Sequence, residues 1–203
     1  MTAILYLHGG GHADHTRYTS LIERFGALGI IGHAFDHHAT TLEGRLDEAE
    51  QELAKLKSQH GLSDGDIYVW GSSMGGHIAA RLTSTHPDLA GIILQSAAAY
   101  SLAAESIPIG PDFTAELHKE GSWRDSQSFV DLNMYKGKVL VFYGEYDDII
   151  PKGVMTNYIA RAAVNGESHT LVGAGHSLLR PGTLTEQNAW EQMYNIALNF
   201  LRS

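Results

Sequence analysis

A chain of 203 residues, 43% hydrophobic and 18% charged, is long enough to bury roughly 70% of the surface its unfolded form would expose, so it needs no covalent staple. Its lack of cysteine excludes disulfides, thiolate metal sites and a cysteine nucleophile. The formal charge of -9 disfavours phosphate-rich partners such as nucleic acid, and no apolar segment approaches the ~20 residues that span a bilayer. Charges are spread without a long single-sign block, and neither a repeat nor a low-complexity linker interrupts the chain. One domain over residues 1–203, acting on a small molecule, is the expectation.

The first apolar run, 2–7, enters a strand directly, without the basic stretch and apolar run of a signal peptide, so a cytoplasmic location is expected. It ends in His8-Gly9-Gly10-Gly11-His12. A helix is predicted over 16–27 and a strand over 29–35. The next helix, 42–59, carries Leu42, Leu46, Ala49, Leu53 and Leu56 on one stripe, with Thr40 and Glu43 as its capping box. Turn residues Ser63-Asp64-Gly65-Asp66 lead into a strand at 66–71, a helix at 74–85 and a strand at 90–96. The interval 97–137 breaks this rhythm and reads as a small cover over the sheet, the alternative being a packed surface loop with two short helices. A strand at 138–144, a helix at 152–163 and a strand at 168–172 follow. The last helix, 184–202, opens on a Thr183/Glu186 capping box and buries Trp190, Met193, Ala197 and Leu201. Strands alternating with helices imply an α/β fold, with about six parallel strands covered on both faces.

Within Trp70-Gly71-Ser72-Ser73-Met74-Gly75-Gly76-His77, only Ser73 has glycine two residues before and two after. A hydroxyl displayed on a sharp strand-to-helix turn needs small flanking residues, which makes Ser73 a candidate nucleophile. Serine hydrolysis also needs a base, an acid that orients it and backbone donors for the oxyanion. The loop Gly144-Glu145-Tyr146-Asp147-Asp148-Ile149-Ile150-Pro151 presents carboxylates after one strand. Gly173-Ala174-Gly175-His176 brings an imidazole after the next, in the chain order Ser, Asp, His. Amides of the His8-Gly9-Gly10-Gly11 loop and of Met74, at the positive end of the elbow helix, are placed to meet an oxyanion. His8 is expected to brace that loop by hydrogen bonding.

Taken together these segments resemble the α/β-hydrolase superfamily over nearly the whole chain, in particular small bacterial carboxylesterase-like serine hydrolases without a large cap domain. The resemblance implies Ser73 as nucleophile, His176 as base, Asp147 as acid with Asp148 and Glu145 in reserve, and Gly10 and Met74 as oxyanion donors. It begins at the strand that is usually third, so the antiparallel front hairpin is absent. That leaves a sheet edge that a second copy could cover as a homodimer.

The expected reaction is cleavage of small carboxylic esters through an acyl-enzyme, without cofactor. Because the base must be neutral and histidine ordinarily titrates near ~6.5, activity should rise through neutral pH. Gly9, Gly11 and His12 are expected beside the substrate. Tyr100, Ile107, Phe113 and Trp123 of the cover suggest a shallow, partly apolar acyl pocket for short to medium chains. The twelve histidines include no His-Glu-x-x-His pattern, so no metal site is expected. His12, His37, His38 and His77 are instead placed at the mouth of the cleft. Alternatives are a thioesterase or peptidase of the same fold, and a non-catalytic ligand-binding protein on a hydrolase scaffold.

Overall fold

The computed structural model describes residues 1–10, 14–177 and 182–203; Gly11 and His12 lie outside the described residues. Six strands, β1 (Ala3–Leu7), β2 (Ile31–Ala34), β3 (Ile67–Ser72), β4 (Gly91–Gln95), β5 (Lys138–Gly144) and β6 (Gly166–Leu171), form one sheet in the order β2-β1-β3-β4-β5-β6. Every neighbouring pair is parallel. The strand order reverses between β1 and β3, and in open α/β sheets ligands bind outside the carboxyl ends of the strands at that crevice.

Side chains alternate between two cores. Ala3, Leu5 and Leu7 of β1 join α2 (Leu42–His60), α3 (Met74–Leu82) and α6 (Lys152–Asn165) on one face. Ile4 and Tyr6 join α1 (Thr19–Gly26) and α7 (Leu184–Arg202) on the other. Burial on both sides explains why β1, β3 and β4 read as unbroken apolar runs rather than as alternating ones. The edge strand β6 is exposed along most of its length. Among the described residues no helix is long and apolar enough to cross a membrane.

The interval 97–137 carries two short helices, α4 (Pro111–Leu117) and α5 (Gln127–Met134), after a single 3-10 turn at Leu102–Ala104. Ala104, Phe113, Phe129 and Leu132 from this segment enter the α3 side of the core.

Several boundaries differ from the sequence expectation, α1 and β2 among them, which are shorter than the predicted 16–27 and 29–35. The cap of α2 is Thr41, whose hydroxyl accepts the Gly44 amide at 3.0 Å, while the carbonyl of Thr40 accepts the amide of Ile109. With Thr41 in the capping position, the Thr40/Glu43 register is off by one. Helix α3 ends at Leu82, and β6 starts at Gly166. The Thr183/Glu186 box is present as read.

Candidate active site

Ser73 sits between β3 and α3 with φ 52° and ψ -117°, in the positive-φ region that a serine rarely occupies. The turn is clamped by its neighbours. The Ser73 amide donates to the Gln95 carbonyl at 3.0 Å, and the Ser73 carbonyl accepts the amides of Gly76 and Ala98, each at 2.9 Å. A side chain at Gly71 would stand 2.2 Å from the Gly75 carbonyl oxygen, and one at Gly75 would stand 2.0 Å from that of Leu7. Both flanking positions are therefore closed to anything larger than glycine, and the strained serine is held by packing on every side.

The His176 ring bridges the other two groups. Its Nε2 accepts the Ser73 hydroxyl at 3.1 Å, and its Nδ1 donates to both carboxylate oxygens of Asp147 at 3.1 Å. The Asp147 side chain is fully buried. Its Oδ1 also accepts the amides of Ile149 and Ile150 at 3.1 Å. Burial works against the charged carboxylate, but His176, Ser96 and the Ile150 amide outweigh it and hold the Asp147 pKa below the usual range. The Ser96 hydroxyl faces the carboxylate without forming a well-shaped hydrogen bond. Glu145 is spent elsewhere, accepting the Gly173 amide at 2.9 Å.

The loop after β1 lies directly over the elbow. A side chain at Gly9 would come 3.2 Å from Ser73 Cβ, and one at Gly10 would come 2.9 Å from Met74 Cε. Met74 is the first residue of α3, and the amide of a first helical residue has no acceptor within its own helix. His8 fixes this loop from below: its Nδ1 donates to the Gly9 carbonyl at 2.7 Å, and its Nε2 accepts the His37 amide at 3.2 Å. Burial lowers the His8 pKa, consistent with a neutral ring in those two bonds.

Tyr100 and Phe113 are buried with ring centroids 5.4 Å apart. Ile107 is half-buried against the same core. Trp123 packs edge-on against Phe129, and its ring fills the space beside Gly153 at the start of α6.

Two of the histidines expected at the cleft mouth are instead internal. His77 is fully buried, its ring edge-on to Tyr100 at 5.1 Å and its Nε2 3.3 Å from Glu105 Oε1. The inward turn of α3 that displays Ser73 carries His77, one turn later, against Tyr100 and Glu105 of the 97–137 segment. The side chain of His37 is 1% exposed, and its Nδ1 donates to Glu48 at 3.0 Å. Several other histidines pair with carboxylates, His33 with Glu52, His15 with Asp36 and His86 with both Glu50 and Asp64.

Sequence reading missed two groups here. Ser96, at φ 44°, is the second strained serine and follows β4 at the same sheet edge. Arg45, on the first turn of α2, reaches Met74; no motif marks either residue.

Comparison with known proteins bears on the fold first. The chain aligns with a solved structure of Thermogutta terrifontis esterase 2 phosphonylated by sarin at a TM-score of 0.73 and 16% identity, covering 100% of this chain and 86% of that one. The same esterase is also solved with propionate and with butyrate bound. The monoacylglycerol lipase of Paleococcus ferrophilus aligns at a TM-score of 0.71 and 18% identity, covering 98% of this chain and 93% of that one. In sequence, Esterase Rv0045c of Mycobacterium tuberculosis is 28% identical over 137 residues, 64% of this chain but 45% of that protein's length. The chain thus matches under half the length of that curated relative. No family model matches.

Proposed function

We propose that this chain, which has the α/β-hydrolase fold, is a serine carboxylesterase that cleaves small esters through an acyl-enzyme. The observation that carries the reading is the unbroken line from the Ser73 hydroxyl through the His176 ring to the buried Asp147 carboxylate, with 3.1 Å at each step. Ser73 Oγ attacks the ester carbonyl carbon as its proton passes to His176 Nε2. The developing oxyanion falls to the amides of Met74 and Gly10. His176 then returns the proton to the departing alcohol oxygen. Water repeats the cycle on the acyl-enzyme, with His176 as base and Ser73 as leaving group. Asp147 stays ionised throughout and holds Nδ1 protonated, so that Nε2 keeps its lone pair toward Ser73.

Short to medium acyl chains fit this reading. The aromatic groups of the cover, Tyr100 and Phe113, are closely packed, and Gly9, Ile107 and Trp123 complete the proposed surroundings of the substrate. The propionate and butyrate complexes of the Thermogutta esterase support the same size range, and the named mycobacterial relative supports ester over amide chemistry.

The direct test is labelling with a fluorophosphonate, mapped by mass spectrometry. An adduct on Ser73 that is lost in Ser73→Ala is expected; no adduct on Ser73 favours a ligand-binding protein. A panel of aryl esters, acyl thioesters and aminoacyl anilides then separates the esterase from a thioesterase or peptidase.

A further inference from the structure

Arg45 projects from α2, the helix that follows β2, toward the residue proposed as an oxyanion donor. Its Nη1 lies 3.2 Å from Met74 Sδ, and its Nε donates to the Ala39 carbonyl at 3.3 Å. Neither contact neutralises a guanidinium: one partner is a thioether, a weak acceptor, and the other an uncharged carbonyl. Among the described residues no carboxylate stands within ion-pair distance of it. Glu48, one turn further along α2, acts on the Arg45 charge through space but spends its oxygens on His37 Nδ1 and on the amides of His38 and Ala39. A half-buried arginine is ordinarily paired, because its charge is costly to desolvate and it cannot be neutralised by losing its proton. Among the described residues this one keeps a fork that no carboxylate fills, beside Met74 and Tyr100.

The direction in which an ester lies across the sheet decides what could fill that fork. Strand order places His176, after β6, on one side of Ser73, and Arg45, after β2, on the other. The leaving oxygen must face His176, which protonates it. With the oxyanion on the amides of Gly10 and Met74, an acyl chain directed away from His176 and over the Met74 side chain would end near Arg45.

We propose that Arg45 is a specificity-determining residue that binds a carboxylate at the far end of the acyl chain, so that the preferred substrates are half-esters of short dicarboxylic acids. A guanidinium takes a carboxylate through two parallel N–H···O bonds, which a neutral acyl chain of the same length does not offer. The inference rests on the esterase reading, and it narrows the substrate class of that same site. The net charge of -9 offers an anion no long-range attraction, so the preference must be local and carried by the one arginine.

The test compares monomethyl glutarate with methyl valerate, and monomethyl succinate with methyl butyrate, by titrating the acid released. The wild-type protein is expected to prefer the half-ester in each pair. In Arg45→Gln the ratio of kcat/KM for half-ester to neutral ester should fall at least tenfold, or about 1.4 kcal/mol. Arg45→Lys should recover part of it, since the charge returns without the fork. An arginine that only props the Ala39 loop would lower both esters together and leave the ratio unmoved, and that result overturns the proposal. Should Arg45→Gln fail to fold, a wild-type preference for the neutral ester overturns it equally. A protein that labels at Ser73 yet shows no half-ester preference fails here alone. One that takes no fluorophosphonate and cleaves no ester fails at the esterase reading, and this inference falls with it.

Discussion

His176 meets Asp147 symmetrically, its Nδ1 3.1 Å from each carboxylate oxygen, while Oδ1 is also tied to the amides of Ile149 and Ile150. That second tie dictates what an amide would do in the same place. In Asp147→Asn the side-chain oxygen would stay with the two backbone donors, and the NH2 group would turn toward His176. The ring would then carry its proton on Nε2, which cannot accept from Ser73. We expect kcat to fall roughly 10³- to 10⁴-fold, with KM and the melting temperature little changed. Asp148→Asn and Glu145→Gln serve as controls, and a loss of that size in either one instead would move the acid to that residue.

The strain at Ser73 gives a second expectation. A residue at φ 52°, ψ -117° costs on the order of 1–3 kcal/mol when it carries a Cβ and much less as glycine. Ser73→Gly should therefore remove hydrolysis and raise the stability of the fold by about 1 kcal/mol, the extra chain entropy of glycine taking back part of the gain. Ser73→Ala should remove activity with no such gain, because alanine keeps the Cβ. Urea unfolding of the three proteins checks the order, and a glycine variant no more stable than the alanine one contradicts it.

The sheet and the elbow were legible because their causes are local. Buried parallel strands must be apolar runs, and Gly71 and Gly75 must be glycine where a Cβ would meet backbone at 2.2 and 2.0 Å. That Ser73, Asp147 and His176 meet was legible for a different reason: parallel strands end at one edge, so residues that directly follow β3, β5 and β6 gather there however far apart they lie in sequence. Burial of individual histidines was not legible. His77 lies on a helix whose every side is covered, and whether a helix face meets solvent or the cover depends on where 97–137 packs. Arg45 escaped notice because a lone arginine early in an amphipathic helix reads as a solvated charge until its partners are known.

How the cover is held leads to a third expectation. Arg81 on α3 is flanked by Glu105 and Asp131, whose side chains are 4% and 8% exposed, and it lies 3.1 Å from Glu105 by both Nε and Nη2. Glu105 follows the 3-10 turn and Asp131 belongs to α5, so one guanidinium ties both parts of the cover to the elbow helix. Arg81→Met would leave two buried carboxylates without a cation, which costs about 3–5 kcal/mol. Amide exchange over 102–134 should quicken before that of β1, β3 and β4. Uniform acceleration would mean that the cover unfolds only with the whole molecule.

The last expectation concerns acid. Burial drives the His37 pKa down from the ordinary value to about 4, even though Glu48 pulls the other way, and burial likewise lowers His8 and His77. These rings are neutral in the folded protein while the same histidines in the unfolded chain take up protons below about pH 6.5. The unfolded state therefore binds more protons between pH 6.5 and 4, and stability falls as pH drops through that window, by at most about 1.4 kcal/mol per pH unit for each ring. Carboxylates held low by their partners, Glu48 and Asp64 among them, add a further loss only below about pH 4.5. Replacing His37 by glutamine keeps a donor near Glu48 and removes one titrating ring, so its melting temperature should decline less steeply than that of the wild type between pH 6.5 and 4.5, whatever its absolute value. Parallel curves would mean that His37 takes up its proton in the folded state as readily as in the unfolded chain, and that its pairing with Glu48 outweighs its burial.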